Sequence, residues 1–141
     1  MLTESMEDYL ESIYTFIGEK GGALRTGDLA EAQGVQPSSV SRMVKKLRRL
    51  GYLTHEKYGG ITLTPRGRSM GRFLLWRDQM LRKFFATLGA RDEADRLVES
   101  IEHFISPETM TYMRDLVEYF EANPAALTAY QEYRRDRLTR L

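Results

Sequence analysis

A mainly α-helical chain carrying one small β-hairpin is what this sequence predicts, and three observations carry the prediction. Apolar residues recur at three- and four-residue spacing over most of the 141 residues, the mark of amphipathic helices. The β-rich runs are confined to Tyr52–Lys57 and Ile61–Thr64, on either side of a Tyr58-Gly59-Gly60 turn signal. Glycine and proline punctuate the helical stretches in order, with Gly34, Pro37, Gly51, Pro65, Gly89 and Pro124 at expected starts and stops.

The first helix shows Met6, Leu10, Ile13 and Ile17 as one apolar stripe. Asp8 and Glu11 fall on its opposite side, and their local reading is a solvated polar face. Thr26 is the expected N-cap of a short helix through Leu29 and Ala30, which Gly34 ends in a left-handed conformation. Pro37 suits the first position of the next helix, because its φ is already helical and its missing N–H would have no partner there. Val40, Met43, Val44, Leu47 and Leu50 give that helix an apolar stripe, and Ser38, Ser39, Ser41, Arg42, Lys45, Lys46, Arg48 and Arg49 its other face. With the hairpin after Gly51, these elements make an N-terminal winged helix-turn-helix, residues 1–65, followed by a helical domain, residues 66–141.

The distribution of charge points the same way. The 21 basic and 20 acidic residues nearly cancel, but residues 1–35 hold two basic and seven acidic groups, and residues 36–72 hold nine basic groups and one acidic. A concentrated basic block is the footprint of a polyanion partner. Small hydroxyl side chains at the start of the basic helix allow close approach to a duplex, and the cations further along suit phosphates. The candidate DNA-reading surface comprises Thr26, Gln36, Pro37, Ser38, Ser39, Ser41, Arg42, Lys45 and Lys46, with Lys57 and Tyr58 at the wing tip.

Several classes drop out. Cys is absent, so disulfides and thiolate metal sites are excluded, and a reducing compartment fits. The longest apolar run is Phe73–Trp76, far short of a membrane span, and the chain starts on Glu4, Glu7 and Asp8 rather than a basic leader; a cytoplasmic location is expected. No nucleophile motif and no phosphate loop is present, so the chain reads as a non-enzyme. A binuclear hydrolase and a regulator sensing an organic ligand among Trp76, Phe84 and Phe85 are the competing classes.

The long helix after Thr64-Pro65 carries an acidic residue where an apolar one is expected. Asp78 lies on the same side as Leu74 and Leu81, so it must be paired with an Arg, protonated or bound to a cation. Glu99, Glu102 and His103 stand at i, i+3 and i+4, which on one helix puts two carboxylates and an imidazole on neighbouring parts of one surface. That spacing fits a metal site and fits a plain solvated face. Beyond it, Met110, Met113, Leu116, Val117 and Phe120 form one amphipathic helix, and Leu127, Tyr130, Leu138 and Leu141 a second that bears Arg134, Arg135, Arg137 and Arg140. Both read as scaffold or a surface between subunits.

The chain resembles the diphtheria-toxin-repressor family of iron- and manganese-dependent regulators over nearly its whole length, in its manganese-responsive branch. The carriers are Ser5-Met6-Glu7-Asp8-Tyr9-Leu10-Glu11-Ser12-Ile13-Tyr14, Pro37-Ser38-Ser39-Val40, Glu56-Lys57-Tyr58-Gly59-Gly60 and Ile101-Glu102-His103, in that order. The resemblance implies a homodimeric repressor that binds double-stranded operator DNA when Mn²⁺ is bound and controls manganese-uptake genes. It also implies no SH3-like C-terminal domain. An iron- or zinc-responsive repressor is the rival within the family. Carried over, the family's binuclear site would use Asp8, Glu11, Asp78, Glu99, Glu102 and His103, with Fe²⁺, Zn²⁺ or Cd²⁺ able to substitute. This branch usually has a His where Asp78 stands, and iron-tuned members tend to have sulfur ligands where Asp8 and Glu99 stand. An oxygen-rich set favours a hard ion such as Mn²⁺.

Overall fold

A computed structural model of the chain describes residues 1–56 and 59–140; Lys57, Tyr58 and Leu141, and with them the expectation for the wing tip, lie outside the described residues. The element order is α1 (Glu4–Ile17), α2 (Thr26–Gln33), α3 (Pro37–Arg49), β1 (Leu53–Glu56), β2 (Gly60–Leu63), α4 (Pro65–Thr87), α5 (Arg91–Ile101), a 3₁₀ turn (Glu102–Phe104), α6 (Pro107–Ala122) and α7 (Pro124–Leu138). The fold is mainly α with a winged helix-turn-helix at its N-terminal end. Two compact units divide it, Met1–Trp76 and Arg77–Leu141, with the division inside α4.

The first unit is built around one apolar cluster. Leu10 and Ile13 of α1, Leu29 of α2, Val40, Val44 and Leu47 of α3, Leu53 and Ile61 of the hairpin and Leu74 of α4 are all buried in it. Each helix contributes the stripe its spacing foretold, except that Leu50 lies beyond the end of α3 and is exposed. The strands pair antiparallel with Leu53 opposite Leu63 and Thr54 opposite Thr62, and this register turns Leu53, Ile61 and Leu63 inward.

The start of α2 corrects an expectation. Leu24 exchanges both backbone hydrogen bonds with Ile61, at 2.9 and 2.8 Å, which holds the chain extended up to Arg25. Arg25 is therefore the N-cap, without a side-chain bond, and Thr26 is already the first helical residue. The turn into α3 follows expectation: Gly34 adopts φ 64° and ψ 34°, and bonds from Gly34 N to Glu31 O and from Val35 N to Ala30 O close the end of α2.

Helix α4 is fastened to the hairpin at its first turn. The Thr64 hydroxyl accepts from Gly67 N at 3.0 Å and lies 2.6 Å from Gly51 O, and Thr64 N donates to Tyr52 O at 3.1 Å. Further along α4, Arg72 grips Glu19 through Nε at 2.5 Å and Nη2 at 2.9 Å, the Tyr14 hydroxyl donates to the same carboxylate at 2.5 Å, and Arg68 donates to Gly18 O and Glu19 O. These bonds tie the end of α1 to α4. The Arg72 bonds, then the Tyr14 bond, pull the Glu19 carboxyl from its ordinary 4.5 down to about 2. A carboxyl lowered by folding stabilises the fold above its unfolded value and ceases to as pH falls through its folded value. The thermal-stability difference between wild type and Glu19→Gln is therefore expected to be full above about pH 4.5 and to shrink toward pH 2. A difference that stays constant over that window would show the clasp to be inert.

In the second unit Leu81, Ala94, Val98, Met110, Val117 and Phe120 are buried. Helix α6 starts on Ser106, whose side chain accepts from Thr109 N at 3.1 Å, followed by Pro107. It packs on α7 through Phe120 and Tyr130, whose ring centroids are 5.6 Å apart. Helix α7 buries none of its residues fully: Leu127 and Tyr130 are half-buried and Leu138 is exposed, so its expected apolar stripe is covered only in part. Among the described residues no helix is long and apolar enough to cross a membrane.

Candidate nucleic-acid interface and metal centre

Helix α3 presents the surface that its sequence pattern requires of a recognition helix. Val40, Val44 and Leu47 are buried, which leaves Pro37, Ser38, Ser41, Arg42, Lys45 and Lys46 exposed and Ser39 half-buried. The basic residues continue into the last turn with Arg48 and Arg49, where cations also complement the helix dipole. Gln36 is extended and exposed at the N-cap, next to the turn that leads in from α2, and Thr26 is half-buried at the start of α2. Apart from the residues at the wing tip, every candidate DNA contact thus sits in the first unit, on α2, on α3 or in the turn between them.

The acidic candidates divide between the two units. Asp8 is exposed and Glu11 half-buried on α1, while Leu10 and Ile13 of the same helix are fully buried. In the second unit the segment bearing Glu99, Glu102 and His103 is not one continuous α-helix. Helix α5 ends at Ile101, and the chain tightens into the 3₁₀ turn at Glu102. Glu99 remains exposed on α5, whereas Glu102 is buried at 5 % exposure and His103 is half-buried. The spacing i, i+3, i+4 implied one shared surface; the change of helix type separates Glu99 from the other two in burial.

Glu102 and His103 form a compact donor pair. Glu102 Oε1 lies 3.8 Å from His103 Nε2, beyond hydrogen-bond length but close enough for both atoms to face one ion. On the other side of the ring, Arg77 Nη2 lies 3.4 Å from His103 Nδ1, and a guanidinium can only donate. Arg77 is itself buried at 3 % exposure. His103 thus stands between a buried carboxylate on one side of its ring and a buried guanidinium on the other. One oxygen and one nitrogen donor at this separation fit a divalent cation of the Mn²⁺, Fe²⁺ or Zn²⁺ type.

Asp78, inside the α4 stripe, is paired with an arginine. Arg82, one turn along the same helix, donates through Nε to both Asp78 oxygens at 3.0 Å, and its Nη1 reaches Asp95 on α5. The sequence reading did not single out Arg77, Arg82 or the Tyr14, Glu19 and Arg72 clasp. For Arg82 the signal was present, as an Arg four residues after an acid. For Arg77 and Arg72 it was not, because their partners lie tens of residues away in sequence.

Two family profiles match successive parts of the chain. The profile of "Iron dependent repressor, N-terminal DNA binding domain" matches residues 1–61, and that of "Iron dependent repressor, metal binding and dimerisation domain" matches residues 64–129. A curated relative from Geobacillus kaustophilus, an HTH-type transcriptional regulator MntR, is 45% identical over 136 residues, 96% of each chain. The regulator of the same name from Bacillus subtilis is 46% identical over 126 residues, 89% of this chain and 88% of its own. Among solved structures, a manganese-dependent transcriptional repressor in complex with manganese superposes with TM-score 0.69 at 28% identity, covering 81% of this chain and 53% of that one. The repressor ScaR with bound Zn²⁺ superposes with TM-score 0.66 at 26% identity, covering 81% and 54%. The chain spans about half the length of these two solved repressors.

Proposed function

This chain belongs to the iron-dependent repressor family, and from that premise we propose how a metal ion governs its grip on DNA. It is a manganese-responsive transcriptional repressor and not an enzyme. The first unit binds double-stranded DNA, with α3 in the major groove: Ser38, Ser39 and Arg42 lie nearest the bases, and Lys45 and Lys46 against phosphates. Thr26, Gln36, Pro37, Ser41, Lys57 and Tyr58 complete the contact surface. The second unit binds a divalent metal and joins two copies of the chain.

The metal reading is carried by buried Glu102 next to His103, an oxygen and a nitrogen donor 3.8 Å apart. We assign the full ligand set to Asp8, Glu11, Asp78, Glu99, Glu102 and His103, holding two ions. When bound, the metal supplies positive charge that offsets the mutual repulsion of five carboxylates. Helix α1 carries Asp8 and Glu11 in the DNA-reading unit, so the same ions restrict that unit relative to the subunit interface. A homodimer reads DNA when its two α3 helices stand about one helical turn apart, roughly 34 Å or a multiple. Metal acts by raising the population of dimers with that spacing, and linkage requires DNA to tighten metal binding by the same factor.

Fluorescence anisotropy on promoter duplexes of manganese-uptake genes tests this, in Mn²⁺, Fe²⁺, Zn²⁺ and EDTA at one ionic strength. Mn²⁺ is expected to tighten binding by about 5- to 150-fold over EDTA, the usual range of coupling between sites. Equal affinity with Mn²⁺ and with EDTA would sink the mechanism, and a stronger response to Fe²⁺ or Zn²⁺ would reassign the metal.

A further inference from the structure

The ion pair at Asp78 bears on how the metal site fills. Asp78 sits where an apolar stripe of α4 needs its charge offset, and Arg82 offsets it with a two-oxygen contact at 3.0 Å. The pair is largely shielded, with the Asp78 side chain 17% exposed and that of Arg82 33%. The second partner of Arg82, Asp95, is 84% exposed, so it steers the guanidinium more than it holds it. The guanidinium is held protonated more firmly than an ordinary arginine, first through the Asp78 hydrogen bonds.

We infer that Arg82 is a built-in competitor for the metal: its guanidinium holds the Asp78 carboxylate from within the chain, and a divalent ion gains Asp78 as a chelating ligand only by displacing it. The inference rests on the reading of Asp78 as part of the metal site. Both cations seek the same place: the single Arg82 Nε–H is shared by the two Asp78 oxygens at 3.0 Å each and so occupies the position between them from which a metal ion would chelate the carboxylate. Arg82 therefore raises the metal concentration at which the ligand set closes. An imidazole at position 78 would not attract a guanidinium in this way, so the acid and the arginine work as one device for setting the threshold.

Isothermal titration with MnCl₂, in the absence of DNA, tests this on the full chain as wild type, Arg82→Gln, Asp78→Asn and the double variant. Arg82→Gln is expected to tighten Mn²⁺ binding by up to about fivefold, the scale of a partly exposed ion pair. Asp78→Asn should weaken Mn²⁺ binding relative to wild type, and Arg82→Gln added to Asp78→Asn should give no gain over Asp78→Asn alone. Circular dichroism melts in EDTA check folding; should Arg82→Gln melt early, Arg82→Met keeps the apolar stem and is expected to show the same gain. Affinity unchanged or weakened in a folded Arg82 variant would overturn the inference, as would a gain that survives in the double variant. If neither wild type nor Arg82→Gln takes up Mn²⁺, the metal reading fails and this inference with it. Uptake by Arg82→Gln alone would support the competition outright.

Discussion

Gly67→Ala is expected to lower the melting temperature by roughly 4–8 °C, although alanine is the better helix former. A Cβ at position 67 would stand 1.9 Å from Tyr52 O, 2.9 Å from Tyr52 C and 3.2 Å from Leu63 Cδ2. The obstructing atom is a backbone carbonyl, and Thr64 N and the Thr64 hydroxyl both bond to it, so the helix start and the hairpin cannot part without breaking those bonds. Overpacking of this kind costs about 1–3 kcal/mol and sometimes more, against about 1 kcal/mol returned by helix propensity; a net loss near 2 kcal/mol gives the stated shift. Gly27→Ala is the matched control, because a Cβ there meets no heavy atom within 4 Å. It should leave the melting temperature unchanged or slightly raised. If Gly67→Ala melts with wild type, the close seating of α4 on the hairpin is wrong. Weakened DNA binding by the folded fraction would add that this seating positions the wing.

The larger functional effect is expected at Glu102 and His103. His103→Ala removes the nitrogen donor of the pair and Glu102→Gln removes its negative charge and one of its two oxygens, and each should weaken Mn²⁺ binding by at least the roughly 10- to 100-fold seen when groups supporting a metal site are lost. Titration calorimetry measures that directly. DNA affinity in EDTA should stay at the wild-type value, while the gain on adding Mn²⁺ disappears at metal concentrations that saturate wild type. The two readouts separate a metal defect from a folding defect. Full Mn²⁺ affinity in both variants would remove the pair from the site. A conservative Glu102→Asp keeps the charge but shortens the arm, and its Mn²⁺ affinity is expected to fall between those of wild type and Glu102→Gln.

Much of the first unit was legible in local chemistry. The stripe Val40, Val44, Leu47 had to face a core, and the Ser and Arg side chains between them had to face outward, because a 3.6-residue period leaves no other arrangement. Gly34 stops α2 and Pro37 starts α3 for reasons contained in their own backbone geometry. Thr26 shows where such reasoning ends. It had the chemistry of an N-cap, but a two-bond bridge between Leu24 and Ile61 held the preceding residue extended and made Arg25 the cap.

For the acidic groups the division is sharper. Their residue types and spacing were enough to single out Asp78, Glu99, Glu102 and His103 as candidates: a charge within an apolar stripe must be paired, protonated or bound to a cation, and two acids three apart beside a His fit a metal site as well as a solvated face. What each one meets was decided within its own helix for Asp78 and by long-range packing for the others. Arg82 reaches both Asp78 oxygens from one turn along α4, whereas α5 ends at Ile101 so that Glu102 turns inward and Glu99 does not, and Arg77 comes from 26 residues away to His103. Periodicity specifies which face of a helix a residue occupies. It carries no information on what the rest of the chain brings against that face, because such contacts depend on loop closure and packing among residues remote in sequence. For this protein, therefore, the helix-turn-helix, its basic surface and the Asp78–Arg82 pair were written locally, while the burial of Glu102 and the meeting of His103 with Arg77 belonged to the tertiary fold.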